Sequence, residues 1–370
     1  MQILYKNQTA SFINQSIISI FKKDNKIIER VMIPHNKIDQ LIEQCASSHP
    51  TITDPAVFAD IKSALEYRFT ENPVASIQNT YLRDYAIPQI VLFDILANRF
   101  PLVLKAQEIV CRKMVALATG MQEICILDLG IGRAIQIKRI LEALQTIPSL
   151  KKVTLIGVEI QEDSLQFTTA LLASLAPSFP FEFVFHPICA PVESVTVETI
   201  QPYLPSADTP LFVNASLTLH HVQTMETRKE IFNRVAQWKT SLFTLIEPNT
   251  YIFTPHFEER LLNTFEHFGT LYAFINTLDL NADEKAGLKQ FFSNELFDAV
   301  ALPDSHRFEK YDLSKHWCQL AENCNLKSVS LEDQLTGITI PSINIHNDAA
   351  GFVNFSFNES DILGVIALEA

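Results

Sequence analysis

The sequence predicts an α/β protein: a mostly parallel sheet, helices over both of its faces and a β-hairpin at the end of the chain. Three observations predict it. Between residues 123 and 248, short β-branched and aromatic runs alternate with amphipathic helical stretches. The first run ends in "DLGIG", which holds two of only nine glycines in 370 residues. A strand, a tight glycine turn and a helix form the unit from which parallel sheets are built. The tail "GFVNFSFNESDILGVIALEA" reads as a hairpin turning at Asn358, Glu359 and Ser360.

Residues 1–120 read mostly helical. In "TDPAVFADIKSALEYRF", Asp54 is placed as N-cap and Pro55 at the first helical position, with Val57, Phe58, Ile61 and Leu65 on one face. "IPQIVLFDILANRFPLVLKAQEIVCRKMVAL" predicts two helices broken at Pro101. "ICILDL", "VTLIGVEI", "FEFVFHPI", "PLFVNASL" and "SLFTLIEP" are five strands, apolar throughout as burial on both faces requires. Helices follow from Ile137, from near Asp163 and from Thr224. "FEERLLNTFEHFGTLYAFINTL" and "EKAGLKQFFSNELFDAV" are helical again, and "LKSVSL" is a sixth strand. No repeat or linker marks a boundary. The division is therefore by element type: 1–120 a helical region contributing to a cap, 121–255 the sheet core, 256–300 a helical cap insertion, 301–370 the C-terminal part of the core with the last strands.

Composition narrows the function. Hydrophobic residues make up 47% and charged residues 19%, an ordinary globular balance. The net charge of −13 repels phosphate backbones, so direct nucleic-acid binding is not expected; the run "FKKDNK" at Phe21 to Lys26 reads as a solvated turn. No 18-residue apolar run is present, so no membrane span is expected. "MQILYKNQTASF" lacks the apolar centre of a leader, which points to the cytoplasm, with leaderless export left open. Cys45, Cys111, Cys125, Cys189, Cys318 and Cys324 form no CxxC pair and have no histidines at ligand spacing. They read as reduced thiols, and no metal is expected.

The chemistry gathers at "CILDLGIGRAIQ", Cys125 to Gln136. A phosphate-binding P-loop needs a Gly-Lys-Ser/Thr end that is absent, and a dinucleotide loop needs glycine where Ile135 stands. A methyltransferase-type loop, Asp-x-Gly-x-Gly-x-Gly after a strand, fits except that Ala134 replaces the third glycine. A plain strand–helix turn remains the bland alternative. Glu159 ends the second strand, where a carboxylate accepts hydrogen bonds from ribose hydroxyls. Asn214 ends the fourth strand, and Glu247 and Asn249 end the fifth. His220 and His221 follow Asn214; adjacent side chains diverge, so at most one is expected to face the site, where a neutral imidazole takes a proton.

In order along roughly residues 80–370, these motifs resemble the GRAS family, plant regulators of growth and development with bacterial relatives. "ILDLGIGRAIQ" is similar to the family's VHIID motif, and "LFVNASLTLHHV" to the strand and turn that follow it. "LFTLIEPNTYIFTPHFEERLLNTFEHFGTLYAFINTLD" and "FFSNELFDAVALPDSHRFEKYDLSKHW" resemble the PFYRE region and its continuation. The final hairpin stands where the SAW motif closes the domain, and Pro88 to Ala97 resembles the first leucine-rich region. Thr218 stands where plant members usually carry Arg, and the chain ends "ALEA" without the motif's final tryptophan, as in a bacterial-type member. The resemblance implies a Rossmann-type core similar to class I S-adenosylmethionine-dependent methyltransferases, with a helical cap.

Two functions follow. In the first, the protein is an S-adenosylmethionine-dependent methyltransferase acting on a small molecule. Gly130, Gly132 and Glu159 then hold the cofactor, Asp128 and Gln136 shape the loop, and His220 or His221 is the base. Asn214, Glu247 and Asn249 face the substrate, and Tyr272, with Phe265 and Phe268, walls off water from the cap. A pocket is expected over Gly130 to Gly132. If the loop is a working cofactor site, Ala134 is expected to have an ordinary negative φ. In the second, the chain is a non-catalytic regulatory or ligand-binding module that takes a protein partner.

Overall fold

The computed structural model describes residues 35–69, 87, 89–206 and 208–370. The basic run at Phe21 to Lys26 and Pro88 of the leucine-rich counterpart lie outside these residues.

Five strands run parallel: β1 (Glu123–Leu129), β2 (Lys152–Glu159), β3 (Glu182–Cys189), β4 (Leu211–Ser216) and β5 (Leu242–Pro248). Their spatial order is 3-2-1-4-5, so the direction of winding reverses between β1 and β4. The crevice outside the carboxyl ends of those two strands is where an open α/β sheet takes its ligands. β1, β4 and β5 are buried almost throughout, which is why they read as unbroken apolar runs.

The sheet continues antiparallel. β9 (Ser360–Glu369) pairs with β5, and β8 (Phe352–Phe357) pairs with β9. The turn between them has positive φ at Asn358 and Glu359 (48° and 69°), the twist that matches a two-residue hairpin. The expected sixth strand shrinks to β6 (Lys327–Ser328), because β8 already occupies that edge of β9 as far as Ile366. β7 (Asn344–Asn347), unanticipated, reads "NIHN" and owes its strand state to its ladder with β8.

Before the sheet come α1 (His35–Ser48), α2 (Pro55–Phe69), α3 (Gln89–Asp94) with a π turn at Ile95–Arg99, and α4 (Pro101–Ala118). Phe100 is extended and Pro101 starts α4, so the break falls where the proline requires it. Asp54 Oδ1 accepts the Ala56 N–H at 2.9 Å, capping α2. Between strands lie α5 (Ile135–Leu144), α6 (Glu162–Leu175), α7 (Val197–Ile200) and α8 (Met225–Gln237), the last capped by Thr224. After β5 come α9 (Phe257–Thr277), α10 (Ala282–Ala301) and α11 (Ser314–Asn323).

Two apolar clusters lie on the two sides of the sheet. One joins residues of α2, α4, α5, α9 and α10 to the sheet, and the other joins β1, β4 and β5 to α8 and α11. No helix among the described residues is long and apolar enough to cross a membrane.

Candidate functional site

The glycine turn sits at the switch point. Gly130 (φ 90°) and Gly132 (φ 52°) both take conformations that suit glycine. The N–H groups of Gly130 and Ile131 both donate to Val158 O at 2.9 Å, and Thr168 Oγ1 donates to Gly132 O at 2.6 Å. A Cβ on Gly130 would run into the side chain of Thr218, whereas a Cβ on Gly132 would meet open space. The loop is therefore tied down at its base and open at its apex.

Ala134 departs from expectation. It caps α5 in the left-handed region, φ 58° and ψ 26°, with its side chain fully buried. The backbone keeps the conformation of the missing glycine, because the chain must still turn into the helix there. An L-residue in that region costs roughly 1–2 kcal/mol, and burying one methyl returns about 0.8 kcal/mol. Ala134→Gly is therefore expected to be neutral or to stabilise by up to about 1 kcal/mol, measured as the urea midpoint at constant slope. A loss instead would mean that packing of the buried methyl dominates.

Below the loop, Asp128, Gln136 and Asn214 meet in a buried network. Asp128 lies opposite Asn214 in the β1–β4 ladder. The Asn214 amide donates to Asp128 Oδ1 at 3.3 Å, pairs with the Gln136 amide at 3.3 and 3.4 Å, and accepts from the Thr244 hydroxyl at 2.9 Å. Burial pushes the Asp128 carboxyl up to about 7; the Asn214 amide opposes this and the charge of Glu159 adds to it. Glu159 is half-buried and stands two residues nearer the edge than Gly157, the β2 partner of Asp128. Its Oε2 accepts the Gly132 N–H at 3.0 Å and its Oε1 accepts the Gln161 N–H at 2.8 Å.

A second group forms at the ends of β4 and β5. Glu247 is buried; its Oε1 accepts the N–H groups of Thr218 (3.1 Å) and Leu219 (2.7 Å). Its Oε2 lies 2.5 Å from His220 Nδ1. On the other side of that ring, Nε2 is 3.4 Å from Glu309 Oε2, and His221 Nδ1 is 3.8 Å from the same oxygen. His220 is buried and His221 exposed, as diverging neighbours would be; Leu219–His221 is nonetheless a tight 3-10 turn, the ring centroids are 4.1 Å apart, and both rings border Glu309. Burial opposes charge on His220, but Glu247 and Glu309 together outweigh it and raise its pKa to about 10. Partial burial, then the charge of the neighbouring His220, lowers the pKa of His221, whose ring is about half exposed. Burial resists ionisation of Glu309, yet His220 holds its carboxyl below the usual range.

Arg228 holds this group together. Its guanidinium, 1% exposed, donates to Val222 O (3.2 Å), Lys310 O (2.5 Å) and Asp312 Oδ2 (3.1 Å), and packs over Phe253 and Trp317. The Lys310 N–H donates to His220 O at 3.1 Å. Sequence reasoning singled out neither Glu309 nor Arg228. The available signal was the charged residues of "RFEKYDL" and "TRKEIF", but nothing local says which of them are buried.

Two predicted residues lie elsewhere. Asn249 staples the end of β5 to the hairpin: its Nδ2 donates to Asn354 Oδ1 (3.0 Å) and Asp361 Oδ2 (3.3 Å), and its Oδ1 accepts the Ser314 N–H (2.8 Å). Tyr272 belongs to the helical layer, where its hydroxyl donates to Asp60 (2.7 Å) and to Lys289 O (3.0 Å). Phe265 and Phe268 are buried in the apolar cluster of that layer.

Comparison with known proteins bears on the whole chain. No curated protein matches it. Among solved structures, the crystal structure of SCL7 from Oryza sativa superposes with a TM-score of 0.71 at 19% identity, covering 90% of this chain and 99% of that one. The DszA carbon methyltransferase (TM-score 0.45, 15% identity, 92% and 72% covered) and the CMeT domain of the citrinin polyketide synthase (0.44, 12%, 98% and 78%) are more distant. The family model of the GRAS domain family matches residues 34–339, most of the chain and every element that builds the glycine turn and the His220 group, and the protein belongs to that family.

Proposed function

We propose that the carboxyl edge of the sheet binds S-adenosylmethionine and that the protein transfers its methyl group to a small molecule. The observation that carries this reading is Glu159. A carboxylate offers about four acceptor positions, and here only the Gly132 and Gln161 N–H groups are engaged. The remaining lone pairs belong to a half-buried group beside the open apex at Gly132, and this suits a ribose diol. Gly130 and Gly132 keep the backbone low beneath the ligand, while Asp128, Gln136 and Asn214 fix the loop from below.

S-adenosylmethionine supplies an electrophilic methyl on a positively charged sulfur. The chain's own part is to position the acceptor. Glu247 and Glu309 favour the charged form of His220, whose ring then holds Glu309 Oε2 in place rather than accepting a proton itself. His221, at the solvent-exposed side of the same turn, borders the acceptor's entry. Asn249 and Tyr272 act through the architecture, by holding β5 and the cap.

Calorimetry with S-adenosylmethionine and S-adenosylhomocysteine tests the reading: saturable one-site binding is expected, and heats of dilution alone would overturn it. Glu159→Ala is expected to weaken either ligand by about 1.5–3 kcal/mol, roughly 10- to 100-fold. Unchanged affinity would confine Glu159 to holding the loop. The second reading, a regulatory or interaction module without turnover, draws on Ala134, whose left-handed backbone is not the negative φ expected of a working cofactor loop, and on Thr218, whose side chain fills the space against Gly130.

A further inference from the structure

We propose that His220, His221 and Glu309 form a binding site for one divalent transition-metal cation of the zinc type, at the carboxyl ends of β4 and β5. The site stands independently of methyl transfer.

One ligand atom from each residue lies within 4.8 Å of the other two. Tetrahedral zinc with bonds of about 2.0–2.2 Å spaces its donor atoms by roughly 3.3–3.5 Å. His220 Nε2 and Glu309 Oε2 already stand 3.4 Å apart, His221 Nδ1 lies 3.8 Å from the same oxygen, and the third edge, between the two rings, is within 4.8 Å. Two imidazoles and one carboxylate suit zinc and its first-row neighbours rather than magnesium or calcium, which prefer oxygen shells.

Two further features point the same way. Glu309 Oε2 is shut off from solvent and receives no hydrogen bond of good geometry; its charge is met by the His220 ring, with Nε2 at 3.4 Å. A buried carboxylate oxygen so weakly paired is costly, and a cation between the two atoms satisfies both. Behind the ring, Glu247 accepts from Nδ1 and is itself fixed by two backbone N–H groups. That keeps a proton on Nδ1, so that loss of the Nε2 proton leaves a lone pair there for a metal, the usual support for a metal-binding histidine. Arg228 ties the two ligand-bearing segments together through Val222 O and Lys310 O.

The bound cation takes the place of the Nε2 proton, which leaves to solvent. His221 is about half exposed, so the fourth coordination position opens to water. A water there loses its proton more readily, because the cation stabilises the anion left behind. The absence of cysteine–histidine spacing in the sequence missed this site, because Glu309 reaches the histidine pair only through the fold.

The test uses the full-length protein, stripped with a chelator and titrated with Zn²⁺ against a chromophoric competitor. Co²⁺ is titrated in parallel for its visible absorption. One equivalent of Zn²⁺ is expected, with the spectrum of four-coordinate cobalt. His221→Ala, at an exposed position where folding is retained, and Glu309→Gln are each expected to weaken Zn²⁺ by more than the roughly 10- to 100-fold that a supporting group contributes. Should Glu309→Gln fail to fold, His221→Ala decides alone. Cys189→Ser removes an exposed thiol and is expected to leave affinity unchanged. Failure to take up one equivalent, unchanged affinity in His221→Ala, or loss of the metal in Cys189→Ser overturns the proposal. No methyl donor is present, so the outcome is separate from the S-adenosylmethionine calorimetry.

Discussion

Arg228→Leu is expected to destabilise the protein by about 3–5 kcal/mol, the cost of leaving one half of a buried ion pair behind. Leucine keeps much of the apolar stem that packs on Phe253 and Trp317, so the loss isolates the charged head. Asp312 then keeps only the His316 ring (2.6 Å) and the Leu313 N–H (2.9 Å), without its buried counter-charge. Lys310 O and Val222 O lose their donor as well. Denaturant unfolding at neutral pH measures the effect, and a loss below about 1 kcal/mol would place the pair among solvated surface ion pairs. In the double variant with Asp312→Leu, part of the loss is expected to return, because no charge remains buried alone.

Glu247→Ala is expected to cost a similar amount, about 3–5 kcal/mol, for a different reason. Three donors lose their common acceptor at once: the N–H groups of Thr218 and Leu219 and the ring of His220. Each unsatisfied buried donor costs about 1–3 kcal/mol. Glu247→Gln retains one carbonyl oxygen and is expected to keep roughly half of the stability that the alanine loses. The comparison distinguishes support of the backbone turn from the charge behind His220. Equal losses in the two variants would assign the whole effect to the charge.

How much of this was legible in the sequence depends on how local each signal is. β1, β2, β4 and β5 were readable because burial on both faces demands unbroken apolar runs, and β3, an edge strand only partly buried, because its run is aromatic and β-branched. The Asp54 and Thr224 caps, the break at Pro101 and the hairpin turn were readable because each is settled by a few neighbouring residues. β7 was not, since Asn344–Asn347 carries no alternation and depends on a partner strand. The strand ends were readable as polar punctuation at the edge of the sheet. Their partners were not: Glu159 meets the backbone of Gly132, and Asn249 turns away to the hairpin.

By itself the sequence determined the sheet, the glycine turn, the family motifs and the presence of two histidines after β4. Those follow from periodicity and backbone conformation, which act over a few residues. Only the tertiary structure decided that Ala134 takes a glycine's conformation, that both histidine rings border Glu309, and that Arg228 clasps the two segments carrying them. These depend on contacts between residues far apart in the chain. Buried polar groups must find partners wherever the fold offers them, and no local pattern records which partner that will be.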